Sequence, residues 1–169
     1  MKKMDIIYED KELLVINKPP KKLTIATDKK EMNTLYREAR EYVKKQNPKN
    51  KIFIVHRLDK DTSGVVVFAK NEKVKQILQS KWNKFEREYL VIVEGILKGK
   101  NKLKSYLKES KTLEVYSTKN PKEGSLAITN YESISTNKSY SLLKVNIETG
   151  KRNQIRVQLS DINHPIVGE

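Results

Sequence analysis

Five consecutive apolar residues, Val65-Val66-Val67-Phe68-Ala69, follow directly on a polar stretch, Asp59 to Gly64. β-Branched side chains lose freedom in a helix but pack well on a pleated surface, so such a run bounded by a turn reads as a buried central strand. Further strand candidates precede it: Ile6 to Glu9 and Leu13 to Lys18, separated by Asp10-Lys11-Glu12 and closed by Pro19-Pro20, then Ile52 to Val55. Others follow it: Glu88 to Glu94, which ends at Gly95, then Leu103 to Leu107, Leu113 to Ser117, Leu126 to Ile134 and Tyr140 to Ile147. Two segments carry helical spacing instead. From Asn33 or Thr34 the apolar positions Leu35, Tyr36, Ala39, Tyr42 and Val43 recur until Asn47-Pro48 stops them, and Asn71 can cap a helix with Val74, Ile77, Leu78 and Trp82 on one face. The last segment is open between strand and helix, since Ile155, Val157 and Leu159 alternate while Ile155, Leu159 and Ile162 repeat helically. The sum is an α+β fold, a large sheet with helices packed on it.

At 169 residues the chain has the size of one domain, and 1–169 is read as a single one. It contains no cysteine, which removes disulfide scaffolds, cysteine-ligated zinc and thiol nucleophiles together. Charges interrupt the amino terminus, and no apolar run approaches the roughly 20 residues of a membrane-spanning helix. A cytoplasmic protein with no membrane partner is expected. Lysine and arginine number 35 against 21 acids, a formal charge of +14, which points to a polyanionic partner. A solvated lysine coat accounts for part of that excess, and Lys98, Lys100, Lys102 and Lys104 read as a lysine-rich turn that is either solvated or in touch with phosphates. Arg57, Arg87, Arg152 and Arg156 weigh more, because they sit in or beside the segments that carry chemistry and pair directionally with carboxylate or phosphate.

The informative stretch is Val55-His56-Arg57-Leu58-Asp59-Lys60-Asp61-Thr62-Ser63-Gly64, placed where a turn projects side chains from a rigid frame. If residues 56 to 59 are extended, Arg57 and Asp59 share one side while His56 and Leu58 point to the other. His56 is then a structural, hydrogen-bonded histidine, and His164 is read the same way. Asp59, Asp61, Ser63 and Gly64 also begin like a calcium loop, but the twelfth position is Lys70 where glutamate is required, in a β-type run. No metal site is expected. On spacing alone, a turn whose acids cap backbone amides and a catalytic carboxylate stand level.

His-Arg-Leu-Asp-x-Asp-Thr-Ser-Gly followed by a valine-rich strand resembles the signature of the RluA-like pseudouridine synthase family. Asn17-Lys18-Pro19, Arg87-Glu88-Tyr89-Leu90-Val91-Ile92-Val93-Glu94-Gly95, Thr149-Gly150-Lys151-Arg152-Asn153-Gln154-Ile155-Arg156-Val157 and His164-Pro165-Ile166-Val167-Gly168 resemble further family segments in the expected order. The resemblance implies a mostly antiparallel, mixed sheet with flanking helices and favours helix for the last segment. It implies isomerisation of uridine in structured RNA, ribosomal or transfer, to pseudouridine, with base flipping and no cofactor. Asp59 matches the essential aspartate, acting on the ribose as nucleophile or base. Tyr89 matches a tyrosine that packs against the uracil, and Arg156 a basic residue that orients the aspartate. From the residues alone, a half-buried strand tyrosine is the favoured reading of Tyr89, while a surface arginine and a functional one stand level for Arg156. Arg57, Arg152 and Gln154 are the expected substrate contacts, Arg57 on the RNA backbone or in the space the uridine leaves.

Many relatives carry histidine at the place of Asn153 and a smaller residue at that of Arg152, which implies altered RNA contacts with the chemistry retained. The family pattern runs on past His164 to Gly168, so its carboxy-terminal part is expected to be missing, and no separate amino-terminal RNA-binding domain is expected before Ile6. A monomer acting on RNA and not DNA is the expectation. Its rivals are a non-catalytic RNA-binding or remodelling protein derived from a synthase, and a nucleoside hydrolase in which Asp59 activates water.

Overall fold

The computed structural model describes residues 4–26 and 33–168. The chain divides into two compact units, residues 1–82 and 83–169. In order along the chain, β1 (Ile6–Glu9), β2 (Leu13–Lys18), α1 (Leu35–Gln46), β3 (Phe53–Ile54), β4 (Gly64–Ala69) and α2 (Glu72–Ser80) form the first. A short 3-10 turn, Trp82–Lys84, leads to β5 (Glu88–Glu94), β6 (Lys100–Glu109), β7 (Val115–Thr118), β8 (Ser125–Thr136), β9 (Tyr140–Ile147) and α3 (Gln154–Asp161). This is the α+β class expected from the sequence, with its strands in two sheets whose ladders are antiparallel. Among the described residues no helix is long and apolar enough to cross a membrane.

The first sheet has the order β1-β2-β4-β3, so β4 is central as its valine run implies. The apolar core lies on one of its faces. Val66 and Phe68 meet Leu14 and Ile16 of β2 and the stripe Leu35, Ala39 and Val43 of α1 in the core. Val65, on the other face, stays 54% exposed. The β-branched run therefore marks the strand's position in the sheet without meaning burial on both sides, because β-propensity measures fit to a half-buried pleat. Helix α1 begins where expected: Thr34 is extended, and its hydroxyl accepts from the Arg37 N–H. The strand expected over Ile52 to Val55 shrinks to two paired residues. Asn71 caps α2 by accepting from the Val74 N–H, but α2 buries no residue and Trp82 lies beyond it.

The second sheet has the order β5-β9-β8-β6-β7. Val91 and Val93 of β5, Tyr131 of β8 and Leu143, Val145 and Ile147 of β9 close over Leu159 of α3. The expected turn at Lys98 to Lys104 is corrected: β6 already begins at Lys100. Lysines at alternate positions there share one face, and two of them are paired, Lys100 with Glu132 directly across on β8 and Lys102 with Glu148 just after β9. Alternation with lysine on the wet side of a strand mimics a polar turn in sequence.

Gly64 joins the turn to β4 and pairs with Lys18 of β2 at a φ of 126°, a region closed to side-chain-bearing residues. Gly64→Ala should therefore cost about 1–3 kcal/mol of stability although a Cβ has room there, measurable as a fall in the urea unfolding midpoint.

Candidate active site

In the first unit the segment 56–63 is irregular and anchored at both ends. Upstream, His56 Nε2 accepts from the Val67 N–H at 3.0 Å, and its ring stacks on Trp82 at a centroid distance of 4.4 Å. Burial pushes its pKa down to about 4 against an opposing hydrogen bond with the Arg57 backbone, so the imidazole is neutral and structural, as read from the sequence. Arg57 is exposed and Asp59 half-buried.

The residues on either side of Asp59 are fixed by two buried side chains. The Thr24 hydroxyl donates to the Leu58 carbonyl at 2.7 Å and accepts from the Leu58 N–H at 3.2 Å. The Lys18 ammonium, fully buried, donates to the carbonyls of Lys60 at 2.9 Å, Lys22 at 2.7 Å and Pro19 at 3.0 Å. Burial lowers the Lys18 pKa, while the charges of Asp61 and Asp59 oppose that shift. An ammonium has three donors, and here each finds a backbone oxygen. The backbone presenting Asp59 is thus held from Leu58 and from Lys60, which gives a loop position a fixed place. Lys18 lies in a segment noted for its resemblance only, without a role. Nothing in the sequence marks Thr24, whose task depends on a contact across 34 residues.

Lys70, which breaks the calcium pattern, follows β4 and places its ammonium 2.6 Å from Glu9. An open cleft of about 580 Å3 lined by Glu9, Asp10, Lys11, Asn50, Lys51 and Lys70 lies beyond the carboxy end of β4. Asp59 precedes its amino end, so this cleft is separate from the turn.

In the second unit Tyr89 is half-buried on β5, on the face that packs against α3, and Arg156 occupies the first turn of α3. The Arg156 Nη1 donates to Asn153 Oδ1 at 2.7 Å. Asn153, the residue before the helix, adopts a left-handed conformation with φ of 53°, which asparagine tolerates better than most side chains. Gln154 is 3% exposed. Its Oε1 accepts from the Thr149 hydroxyl and the Lys151 N–H, and its Nε2 donates to the Ile128 carbonyl and to Thr129 Oγ1. Four bonds use every site the amide has, so Gln154 ties the turn 149–153 to β8. Arg152 is exposed and paired with Glu109 at 2.6 Å. His164 Nδ1 lies 2.8 Å from the Glu94 carbonyl.

A family model described as RNA pseudouridylate synthase matches residues 12–161, and the chain belongs to that family. It is 33% identical over 181 residues to the tRNA pseudouridine synthase C of Haemophilus ducreyi, covering 98% of this chain and 72% of that protein. To the ribosomal large subunit pseudouridine synthase D of Yersinia pestis it is 31% identical over 170 residues, covering 98% of this chain and 51% of the other. The chain spans about half the length of several curated relatives it matches. In fold it is similar to the human RNA pseudouridylate synthase domain containing 4, with a TM-score of 0.83 at 22% identity over 97% of this chain and 67% of that one.

Two outcomes test the anchoring. Lys18→Met removes the donor but leaves three carbonyls behind, so it should cost about 2–3 kcal/mol, read from urea unfolding, and speed amide exchange at residues 58 to 61. The second concerns pH. Between pH 6.5 and about 4 the unfolded chain binds a proton at His56 that the folded protein refuses, so stability should fall as pH falls through this window. His56→Gln, which keeps an acceptor for the Val67 N–H, should flatten the unfolding midpoint against pH there.

Proposed function

We propose that the protein isomerises specific uridines of structured RNA, ribosomal or transfer, to pseudouridine. The chain acts as a single catalytic domain, in which Asp59 serves as the catalytic carboxylate, Tyr89 as the tyrosine and Arg156 as the basic residue. Arg57, exposed beside Asp59 on the same turn, contacts the RNA, and Arg152 does so by exchanging Glu109 for phosphate. The protein works as a monomer in the cytoplasm, on RNA and not DNA. The observation that carries this reading is the position of Asp59 between Leu58 and Lys60, each held by a buried side chain. A turn whose acids merely cap amides needs no such support, whereas a carboxylate that must meet a ribose in one geometry does.

In the reaction the bond from C1′ to N1 of uracil breaks, the base turns, a bond from C1′ to C5 forms, the C5 proton is lost to solvent, and N1 takes up a proton in its place. Asp59 acts on the ribose, as nucleophile at C1′ or as base toward a ribose proton. The Tyr89 ring packs against the extruded uracil. Extrusion costs a few kcal/mol in paired RNA, which charged contacts such as Arg57 offset. The relatives' names divide between transfer and ribosomal RNA at nearly equal identity, which leaves both substrate classes in the reading.

RNA labelled with tritium at uridine C5 provides the test. The parent protein should release tritium from total cellular RNA, and Asp59→Asn should lower the rate by at least about 1000-fold while keeping RNA affinity, since the chemistry depends on the ionised group. Salt-sensitive RNA binding without release in both proteins would establish the non-catalytic alternative, and free uracil would establish hydrolysis.

A further inference from the structure

Arg87 sits where the chain leaves β9 for the turn that launches α3. Its carbonyl accepts from the Ile147 N–H, and its Nη2 donates to the carbonyls of Ile147 at 3.1 Å and Glu148 at 2.9 Å. Its Nε is buried and finds no acceptor among the described residues. A buried N–H left without a partner is costly, so the guanidinium keeps this orientation for the sake of its other contacts. Those include Gly150: a Cβ there would lie 2.8 Å from Nη1. Gly150 does not adopt the left-handed conformation, so what a side chain there would meet is the guanidinium, not backbone strain.

The turn is pinned from its other side as well. Thr149 Oγ1 accepts from the Ile128 N–H of β8, and Gln154 holds Thr149 and Lys151. Arg87 is the post on the β5 side. Two residues further along the chain, in β5, stands Tyr89, and the first turn of α3 carries Arg156.

We propose that Arg87 is a positioning residue, a guanidinium clamp that closes on Gly150 and fixes the spacing between the strand of Tyr89 and the helix of Arg156. Its functional part rests on the roles proposed for those two side chains. An arginine tail normally swings aside for a methyl group. A clamped one does not, and Gly150→Ala then has to move the turn.

The experiment introduces Gly150→Ala into the parent protein and into an Arg87→Lys variant, whose ammonium can donate to the same carbonyls but offers no second nitrogen to collide. Tritium release from C5-labelled total RNA is measured in single turnover with protein in excess, and urea midpoints are measured alongside. In the parent, Gly150→Ala should slow the saturated rate about tenfold, the scale of a small misplacement, and lower the midpoint, with the half-saturating protein concentration unchanged. In Arg87→Lys the same substitution should change the rate by less than about twofold and leave the midpoint in place, the non-additivity expected of residues in contact. Equal losses in both backgrounds, or none in either, would overturn the clamp. A lower midpoint in the parent with an unchanged rate would overturn the positioning role. If the parent releases no tritium at all, the proposed function falls, while the midpoints alone still decide whether the clamp exists.

Discussion

A lysine ammonium buried without a carboxylate hydrogen-bonded to it is a costly object, and the first unit is organised around one. The Lys18 side chain is fully buried, so its charge is met by the carbonyls of Pro19, Lys22 and Lys60 and, at longer range, by Asp61 and Asp59. Those groups cannot drift without exposing an unsolvated cation. The cost of burial becomes a restraint on every segment that supplies an oxygen, among them the turn carrying Asp59. A methionine would pack in the same volume and restrain nothing, because dispersion is non-directional.

The second unit reaches a comparable result with a neutral group. Gln154 satisfies all four sites of its amide on the turn before α3 and on β8, and Asn153 closes the helix start by accepting from Arg156. Sheet and helix are thereby joined by polar bonds at the amino end of α3, while apolar packing of Leu159 on Val93, Leu143 and Val145 supplies cohesion further along. Apolar packing tolerates small slips. A saturated amide does not, since each slip strands a buried donor or acceptor.

Elements were legible in the sequence where one period dominated. The spans of β5 and β9, of the β1-β2 start and of α1 with its Thr34 cap follow from alternation, helical spacing and stop signals in residues adjacent to one another. Lys98 to Lys104 misled because a strand with lysine on its wet face and glutamate opposite looks like a charged loop until its neighbours are known. The last helix stayed open for a related reason: its eight residues carry a buried Gln154 and Gln158 where an apolar stripe would have settled the period. At the site, the turn itself was visible and so was a structural His56, since alternation put it opposite Asp59. The grip on that turn was not. Thr24 and Lys18 act on residues 34 and 42 positions away, and no local pattern encodes such a contact. The bonds of Gln154 are hidden in the same way, because its partners Ile128 and Thr129 lie more than twenty positions away.

Charge follows a similar logic. Lysines dominate the composition, yet on the second sheet Lys100, Lys102, Lys108 and Lys144 each meet a glutamate from a neighbouring strand or loop. Exposed pairs of this kind contribute little to stability, but they remove local field, so the formal +14 overstates what that face offers a polyanion. Arg57 differs in placement, exposed on the turn that Lys18 and Thr24 hold. A cation on a fixed backbone loses less freedom when it meets a phosphate than one on a mobile loop, so a single anchored arginine can direct RNA more sharply than a coat of neutralised lysines.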